Sequence, residues 1–386
     1  MIDTIISTSQ LKLWPLYKPE IRRHVPHMMQ KALILMRECI ELGGAHCDAL
    51  SKALQIIPSA INEHTFADFN VKFPPRWDVT LRSASLFRAK SVYLGDFGAY
   101  LQQSQRPTAL SLPDLKEVGF KGTHPCYIED FFRFFATSSL DSLTMVDIPH
   151  SRGMEKISLT DLPAIKRILF NGTSPHFIEN FLPSCGSSVN TVEMIDISFP
   201  RLLHSTICFP ELSGLKETIF QQTDTRVIQD FFRTSRTPSL RFVYISNIPN
   251  PLDFGGIQLP NLSALHLEHL ELSRGAWPFL QDCEKLVLVA VSGFDDWDLR
   301  SMYTSRNGNS MGVGWICPNL SSLEICGPMD ISITHIRNLV EGRHHVSTGA
   351  SPCVVAMKRL VVRKCGDIGM EHSHWFNEHL QEFLWE

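Results

Sequence analysis

A short pattern of apolar positions recurs along most of the chain. An apolar residue is followed by two variable residues, a second apolar residue, one variable residue and a third apolar residue. These triplets begin at Ala89 (a weaker copy), Leu115, Leu140, Ile165, Val189, Leu215, Leu240, Leu262, Cys283, Leu320 and Met357. Except for the last two steps, successive starts are 21 to 26 residues apart. This near-constant spacing indicates one structural unit repeated many times.

A longer period is superimposed on the triplets. Ile128, Ile178 and Ile228 are 50 residues apart, and each is followed by apolar residues three and four positions later. That spacing places the apolar side chains on one face of a helix. Leu-Pro and similar pairs precede alternate triplets. The repeating unit is therefore expected to contain a strand, a helix, a second strand and an irregular return.

These two periods predict an α/β fold, namely a leucine-rich-repeat solenoid, because such repeats are about 20 to 29 residues long. We expect a parallel sheet on the concave face and helices with irregular segments on the convex face. A single repeat cannot bury its apolar face alone, so stacked neighbours would form a continuous core. The alternative is an ordinary α/β fold with alternating strands and helices.

The repeat pattern also suggests a domain organisation. The solenoid is expected over 89–365, with loop insertions near 295–314 and 342–352, where triplet steps lengthen and Ser, Asn and Gly are frequent. Residues 1–88 are expected to form a helical N-terminal cap, and residues 366–386 a helix-rich C-terminal cap. Caps of this kind shield the apolar ends of a repeat stack.

The N-terminal region contains two helical patterns and two weak strand patterns. His27–Leu42 and Asp48–Ile57 are the expected helices, and each is followed by a helix-breaking Gly or Pro. The apolar positions of 66–71 and 79–81 fit degenerate strands. A helical cap with a few irregular strands is therefore the prediction for this region.

Composition and charge narrow the class of protein. Thirty-six basic residues are balanced by 40 acidic ones, for a net charge of −4, so there is no positive field to hold nucleic acid. No apolar stretch reaches the roughly 20 residues of a membrane-spanning helix. The start of the chain lacks a signal-peptide pattern, and none of the ten cysteines form a CxxC pair. We expect a cytoplasmic or nuclear protein, or one found in both compartments.

The sequence offers little to support an enzyme or a metal site. His344, His345, His372, His374 and His379 lack accompanying Cys or Asp pairs at zinc-ligand spacing, so they are interpreted as surface histidines. There is no GxSxG motif and no cysteine-protease signature. We therefore expect no catalytic, cofactor-binding or metal-binding residues. A hydrolase on a repeat frame is a third reading without sequence support.

The repeats resemble a known family. The phrases LPDLKEVGF, LPAIKRILFNG and LPNLSALHLEHL are similar to the F-box leucine-rich-repeat proteins abundant in mushroom-forming fungi. The resemblance covers about 89–365. It implies a substrate held on the repeats and an N-terminal F-box that contacts a Skp-type adaptor of a cullin ubiquitin ligase. Only Lys18–Ile21 is similar to the opening of an F-box, so residues 1–88 are alternatively a degenerate or truncated F-box.

In each predicted strand, the residues between the core positions would face the concave surface. We expect this surface to bind a protein partner, with Phe242 and Tyr244 as an aromatic anchor surrounded by charge. The candidate residues are Glu117, Arg167, Glu193, Glu217, Phe242, Tyr244, His266, Glu268, Glu324, Arg359 and Arg363. The expected function is a protein-interaction scaffold that recognises substrates for an SCF-type ubiquitin ligase. The alternative is a stand-alone repeat protein with no link to a ligase.

Overall fold

The computed structural model describes residues 69–71, 91–95, 110–111 and 115–386, with gaps at 137–138, 150–161, 163–164, 200–205, 256, 274–279, 281, 303–316, 328–330 and 349–353. The chain divides into two compact units, Met1–Ala164 and Ile165–Glu386. The second unit contains most of the described residues and most of the candidate binding residues.

The first unit contains short parallel strands and one described helix. In chain order these are β1 (Phe69–Val71), β2 (Ser91–Gly95), β3 (Leu110–Ser111), β4 (Glu117–Lys121), α1 (Pro125–Phe134), β5 (Phe135–Ala136) and β6 (Ser142–Val146). Strands β1, β2, β4 and β6 pair in parallel in that order, and β3 pairs in parallel with β5. The first strand confirms part of the degenerate strand pattern at 66–71. The two N-terminal helical patterns lie outside the described residues.

The second unit is a parallel sheet whose strands follow one another in chain order. Its elements are β7 (Arg167–Asn171), α2 (Pro175–Phe181), a 3₁₀ helix (Leu182–Ser188), β8 (Thr191–Ile195), β9 (Glu217–Gln221), α3 (Thr225–Thr234), β10 (Phe242–Ser246), β11 (Ala264–Glu271), β12 (Lys285–Ser292), α4 (Asp296–Ser301), β13 (Ser322–Cys326), α5 (Ile333–Ser347), β14 (Arg359–Arg363), α6 (Met370–His379) and β15 (Glu382–Trp385). Each strand pairs with the next one along the chain, from β7 to β15. The predicted α/β class with a parallel sheet is therefore confirmed.

The apolar triplets place their second and third residues in the strands. In β10 these are Val243 and Ile245, both fully buried. The strands pair without a shift in register, so Val243 lies beside Leu265 of the next strand and Thr218 of the preceding one. Thr218 replaces the usual apolar residue, and its buried hydroxyl donates to the Val192 carbonyl at 3.2 Å. A hydrogen bond thus offsets the cost of burying this polar group.

The helices pack against the buried face of the sheet. In α3, the Phe231 ring lies 5.3 Å from the Phe220 ring of β9, edge to face. The equivalent contact in the first unit joins Phe120 and Phe131 at 5.3 Å. The helices predicted from the 50-residue period are therefore confirmed as α1, α2 and α3. Because they cover one side of the sheet, the other side is left for contacts outside the core.

The chain leaves β4, β6 to β10 and β12 to β14 through a residue with positive φ. After β8, β9 and β10 this residue is Asp196 (φ 52°), Gln222 (φ 51°) and Asn247 (φ 53°). The ladder of backbone hydrogen bonds continues through these residues, since the Gln222 N–H donates to the Ser246 carbonyl at 3.0 Å. L-residues other than Gly adopt this left-handed conformation at a cost. The sheet thus imposes one bend at the end of each of these strands.

Part of the predicted loop insertions is helical, which corrects the sequence prediction. Within 295–314, Asp295 begins α4 by accepting hydrogen bonds from the N–H groups of Trp297 and Asp298, at 2.8 and 3.3 Å. Within 342–352, α5 continues to Ser347 because the buried Arg343 holds it to the carbonyls of Cys317 and Pro318, at 3.0 and 2.7 Å. The loop prediction is wrong for these residues, while 303–316 and 349–353 lie outside the described residues.

The C-terminal region contains the expected helix, α6, and also a strand. Strand β15 pairs in parallel with β14, so that Phe383 lies beside Leu360. The Phe376 ring of α6 stacks on Phe383 at 5.0 Å. The region therefore extends the sheet in addition to covering it, which the prediction of a helix-rich cap did not include.

Candidate binding surface

The side of the second unit's sheet opposite the helices is called the open face here. It consists of the first, third and fifth residues of each strand from β7 to β14, because alternate side chains of a strand point to opposite sides. The third residues, for example, are Leu169, Glu193, Ile219, Tyr244, His266, Val287, Glu324 and Val361. The register aligns them in one row across the strands.

The structure places every candidate residue at an alternate strand position. Ten of them lie on the open face, and Glu117 is the first residue of β4 in the first unit. Arg167, Glu217, Phe242 and Arg359 occupy first positions, Glu193, Tyr244, His266 and Glu324 third positions, and Glu268 and Arg363 fifth positions. The sequence spacing therefore places these ten residues on one side of the sheet.

Tyr244, His266 and Glu268 lie at the centre of the open face, and with His269, the next residue of β11, they form what is called the tyrosine–histidine cluster. The Tyr244 hydroxyl donates to Glu268 Oε2 at 2.5 Å. The rings of Tyr244 and His266 meet edge to face, with centroids 4.7 Å apart. His269 Nε2 lies 3.6 Å from Glu268 Oε1. Glu268 therefore connects two strands of the sheet.

Burial changes the acid–base properties of this cluster. It lowers the pKa of His266, an effect that the negative charges of Glu268 and Glu324 oppose. It raises the pKa of Tyr244, and the hydrogen bond to Glu268 adds to this rise. Among the described residues, His266 Nε2 has no hydrogen-bond partner, and Glu268 Oε2 is 3.8 Å away. The imidazole is consequently neutral at pH 7, and the phenol is protonated.

Phe242 lies on the same strand as Tyr244, two residues before it, and beside Glu217 of β9. The two residues are register partners at the first positions of β10 and β9. Phe242 is half-buried, and the Thr191 hydroxyl donates to Glu217 Oε2 at 3.4 Å. The aromatic residues and the charges predicted to surround them are therefore neighbours in the structure.

Toward both ends of the open face, charged side chains form ion pairs with one another. Arg167 contacts Glu193 at 2.6 Å, and Glu193 is only 6% exposed. Glu324 contacts both Arg359 and Arg363, at 3.4 and 3.0 Å, and Arg359 also contacts Glu382 at 2.8 Å. The hydrogen bond to Glu382 is the main cause of a raised pKa for Arg359. These charges are largely balanced within the protein.

Sequence reasoning missed the apolar members of the open face. Leu169, Ile195, Ile219 and Val289 occupy third or fifth positions and are half-buried. The triplet pattern assigns the apolar residues of a strand to the core, so it does not predict these four as members of the open face. Their offset by one position from the buried triplet residues was the signal that could have revealed them.

Asp296, Ser332 and His335 combine the residue types of a hydrolase triad but not its geometry. The Ser332 hydroxyl and Asp296 Oδ2 both approach Nδ1 of His335, at 2.8 and 3.0 Å. A triad needs the serine and the carboxylate on opposite ring nitrogens. Ser332 instead begins α5 by accepting a hydrogen bond from the His335 N–H at 3.4 Å. The three residues stabilise a helix end.

The histidines considered for metal binding are dispersed. His344 and His345 are exposed on α5, rather than in the loop expected from the sequence. On α6, His374 contacts Glu378 at 3.2 Å, and His379 stacks on Trp375 at 4.1 Å. In the part of the chain that the structure describes, no three His, Cys, Asp or Glu side chains are grouped so that they could hold a metal ion.

Comparisons with known proteins assign no family. No protein-family model matches the chain, and no curated protein matches it. Across the described ranges, no helix combines the length and apolar character needed to cross a membrane. The function is therefore inferred from the geometry of the open face.

Proposed function

We propose that the second unit is a leucine-rich-repeat solenoid and that its open face binds another protein. One observation carries this proposal: half-exposed Phe242, Tyr244 and Ile219 adjoin one another at the centre of a sheet face bordered by ion pairs. Partly exposed aromatic residues within a polar surround are typical of the centres of protein interfaces. Parallel strands without a shift in register suit a rigid surface of this kind.

The proposal extends to the role expected from the F-box resemblance. The protein would recognise a substrate on the open face and deliver it to an SCF-type ubiquitin ligase, in the cytoplasm or the nucleus. Residues 1–88 would then contact a Skp-type adaptor. The alternative is a stand-alone binding protein that uses the same face without any ligase.

The binding proposal is tested with an open-face variant, Phe242→Ala with Tyr244→Ala and His266→Ala. Affinity purification of the full chain, followed by quantitative mass spectrometry, compares this variant with the unchanged protein. The matched control is Trp297→Ala with His344→Ala and His345→Ala, which truncates three exposed side chains on α4 and α5. We expect specific partners to fall at least about tenfold with the open-face variant alone. Equal recovery of these partners with both variants would contradict binding at the open face.

The ligase link is tested separately, with changes in the partial F-box motif. Pro19→Ala combined with Ile21→Asp should abolish recovery of a Skp-type adaptor while open-face partners are retained. If the unchanged full chain recovers no adaptor, the stand-alone alternative replaces the ligase role. Circular dichroism of the variant checks that the changes have not unfolded the protein.

A further inference from the structure

We infer that the open face takes an extended, positively charged segment of its partner, with one Lys or Arg side chain at Glu217 and another at Glu268. This inference rests on the proposed function, since it names the chemistry of the bound protein. It comes from the charges that remain unbalanced on the face, together with the aromatic rings beside them.

The carboxylates of the open face fall into two groups. Glu193 and Glu324 are neutralised by Arg167 and by Arg359 with Arg363, respectively. Within the described residues, neither Glu217 nor Glu268 has a Lys or Arg within ion-pair distance. The central negative charge is therefore available to a cation supplied from outside.

Each of these two carboxylates lies beside an aromatic ring. Phe242 is the register partner of Glu217, and Tyr244 hydrogen-bonds to Glu268. A cation placed over an aromatic face is attracted by the ring as well as by the carboxylate. Glu268 accepts one hydrogen bond from Tyr244, and an ionised carboxylate has several further acceptor positions. Each pair is thus suited to a guanidinium or an ammonium group.

The register sets the distance between the two positions. Glu217 is a first residue and Glu268 a fifth residue, two strands away. Four residues along a strand span about 13 Å, and two strand spacings span about 10 Å, so the diagonal is about 16 Å. An extended segment covers this distance in about five residues. Half-buried Ile219 and Tyr244 lie between the two positions, so apolar side chains between the cations would also find contacts.

The chain itself contains a segment with similar chemistry. Lys18 and Arg23 are five residues apart, and Arg22 lies between them. This segment, in the same chain or in a second copy, could compete for the acidic positions. The proposed occupant is an external partner, and binding of the internal segment is a separate outcome of the experiment.

The experiment selects displayed random 12-residue peptides on the full-length protein and measures the affinity of the enriched peptides. The test variant is Glu217→Gln with Glu268→Gln. Its control, Glu371→Gln with Glu378→Gln, removes the same charge from exposed positions on α6. We expect enrichment of two basic residues about five positions apart, with affinity falling at least tenfold in the test variant and less than twofold in the control. The affinity should also decrease as salt increases.

Other outcomes separate this inference from the proposed function. Peptides without a basic preference that lose affinity in Phe242→Ala with Tyr244→Ala would overturn the inference and retain the binding face. Peptides that bind all variants equally, or no enrichment at all, would overturn both. If replacing Lys18, Arg22 and Arg23 by Ser raises the affinity for basic peptides tenfold, the internal segment is the occupant and the external assignment is wrong.

Discussion

Arg343 shows how a single buried charge can define the position of a helix. Its side chain is fully buried and donates to the carbonyls of Cys317, Pro318 and Val355, at 3.0, 2.7 and 3.1 Å. Burial lowers the pKa of this guanidinium to about 10, so it remains charged at neutral pH. The three carbonyls precede β13 and β14. Arg343 therefore joins α5 to the chain that enters two neighbouring strands.

Removing this guanidinium should destabilise the second unit strongly. Arg343→Met removes three hydrogen bonds from a buried charged group to backbone carbonyls, at a cost of about 3 kcal/mol or more in the free energy of unfolding. Urea denaturation followed by circular dichroism measures the change. Arg337→Met on the same helix removes a partly exposed ion pair with Glu341 and a contact of the guanidinium with the Trp375 ring at 4.6 Å, and it should cost about 1 kcal/mol. Similar losses for both variants would contradict the anchoring role.

Protonation of the single side chain His266 should make the stability of the folded protein depend on pH. Burial lowers its pKa in the folded state below the ordinary value of 6.5. As the pH falls below about 6.5, the unfolded chain therefore binds a proton before the folded chain does, and stability decreases. We expect His266→Phe to reduce the loss of stability between pH 7.5 and pH 5, measured from urea midpoints. His374→Gln, which removes an exposed histidine from α6, serves as the control, and an equally large effect of this variant would contradict the role of His266 burial.

Among the structural elements, the helices could be predicted from the sequence, whereas the backbone bends that follow the strands could not. The 50-residue recurrence of Ile128, Ile178 and Ile228 predicted α1, α2 and α3 because packing against the sheet requires apolar residues at fixed positions. The residues with positive φ share no side-chain chemistry: Asp, Gln, Asn, His, Ala, Lys and Gly all occur. Backbone pairing, a long-range effect, imposes that conformation. The positions with positive φ could therefore not be predicted from the local sequence.

The elements that were missed have a similar explanation. The loop predicted near 295–314 was inferred from frequent Ser, Asn and Gly, yet Asp295 supplies a helix cap at its start. Helix α5 includes Gly342, a poor helix former, and is held by hydrogen bonds from Arg343 to the segments that precede β13 and β14. Strand β15 contains only four residues and was hidden within an apolar pattern assigned to a helical cap. Tertiary contacts overrode local preference in the last two cases.

At a residue with positive φ, the stability cost of a substitution should depend on how well the new residue tolerates the left-handed conformation. Gly172 follows β7 with φ 58°, and its N–H donates to the Ile195 carbonyl at 3.0 Å. Gly172→Val should cost about 1–2 kcal/mol or more, because a β-branched residue is strained there, whereas Gly172→Asn should cost less. Thermal unfolding of both variants measures the order. Equal effects would mean that the bend relaxes after substitution.

At the scale of the second unit, stability depends on contact between neighbouring strands. Leu265 is fully buried, and its register partners are Val243 and Leu286. Leu265→Ala should therefore cost about 2–5 kcal/mol and weaken the adjacent strands first. Hydrogen exchange should show the greatest loss of protection in β10, β11 and β12. A loss spread evenly from β7 to β15 would indicate that this sheet opens as a single unit.

The unshifted register of the sheet has a consequence for how the protein could change over time. Every strand contributes one side chain to each row of the open face, and all rows are carried by the same parallel sheet. Along such a row, a bound partner would contact the side chain of a new strand roughly every 4.8 Å. Substitutions at these outward positions could alter what is recognised while the hidden positions stay intact, so selectivity and foldability could evolve nearly independently.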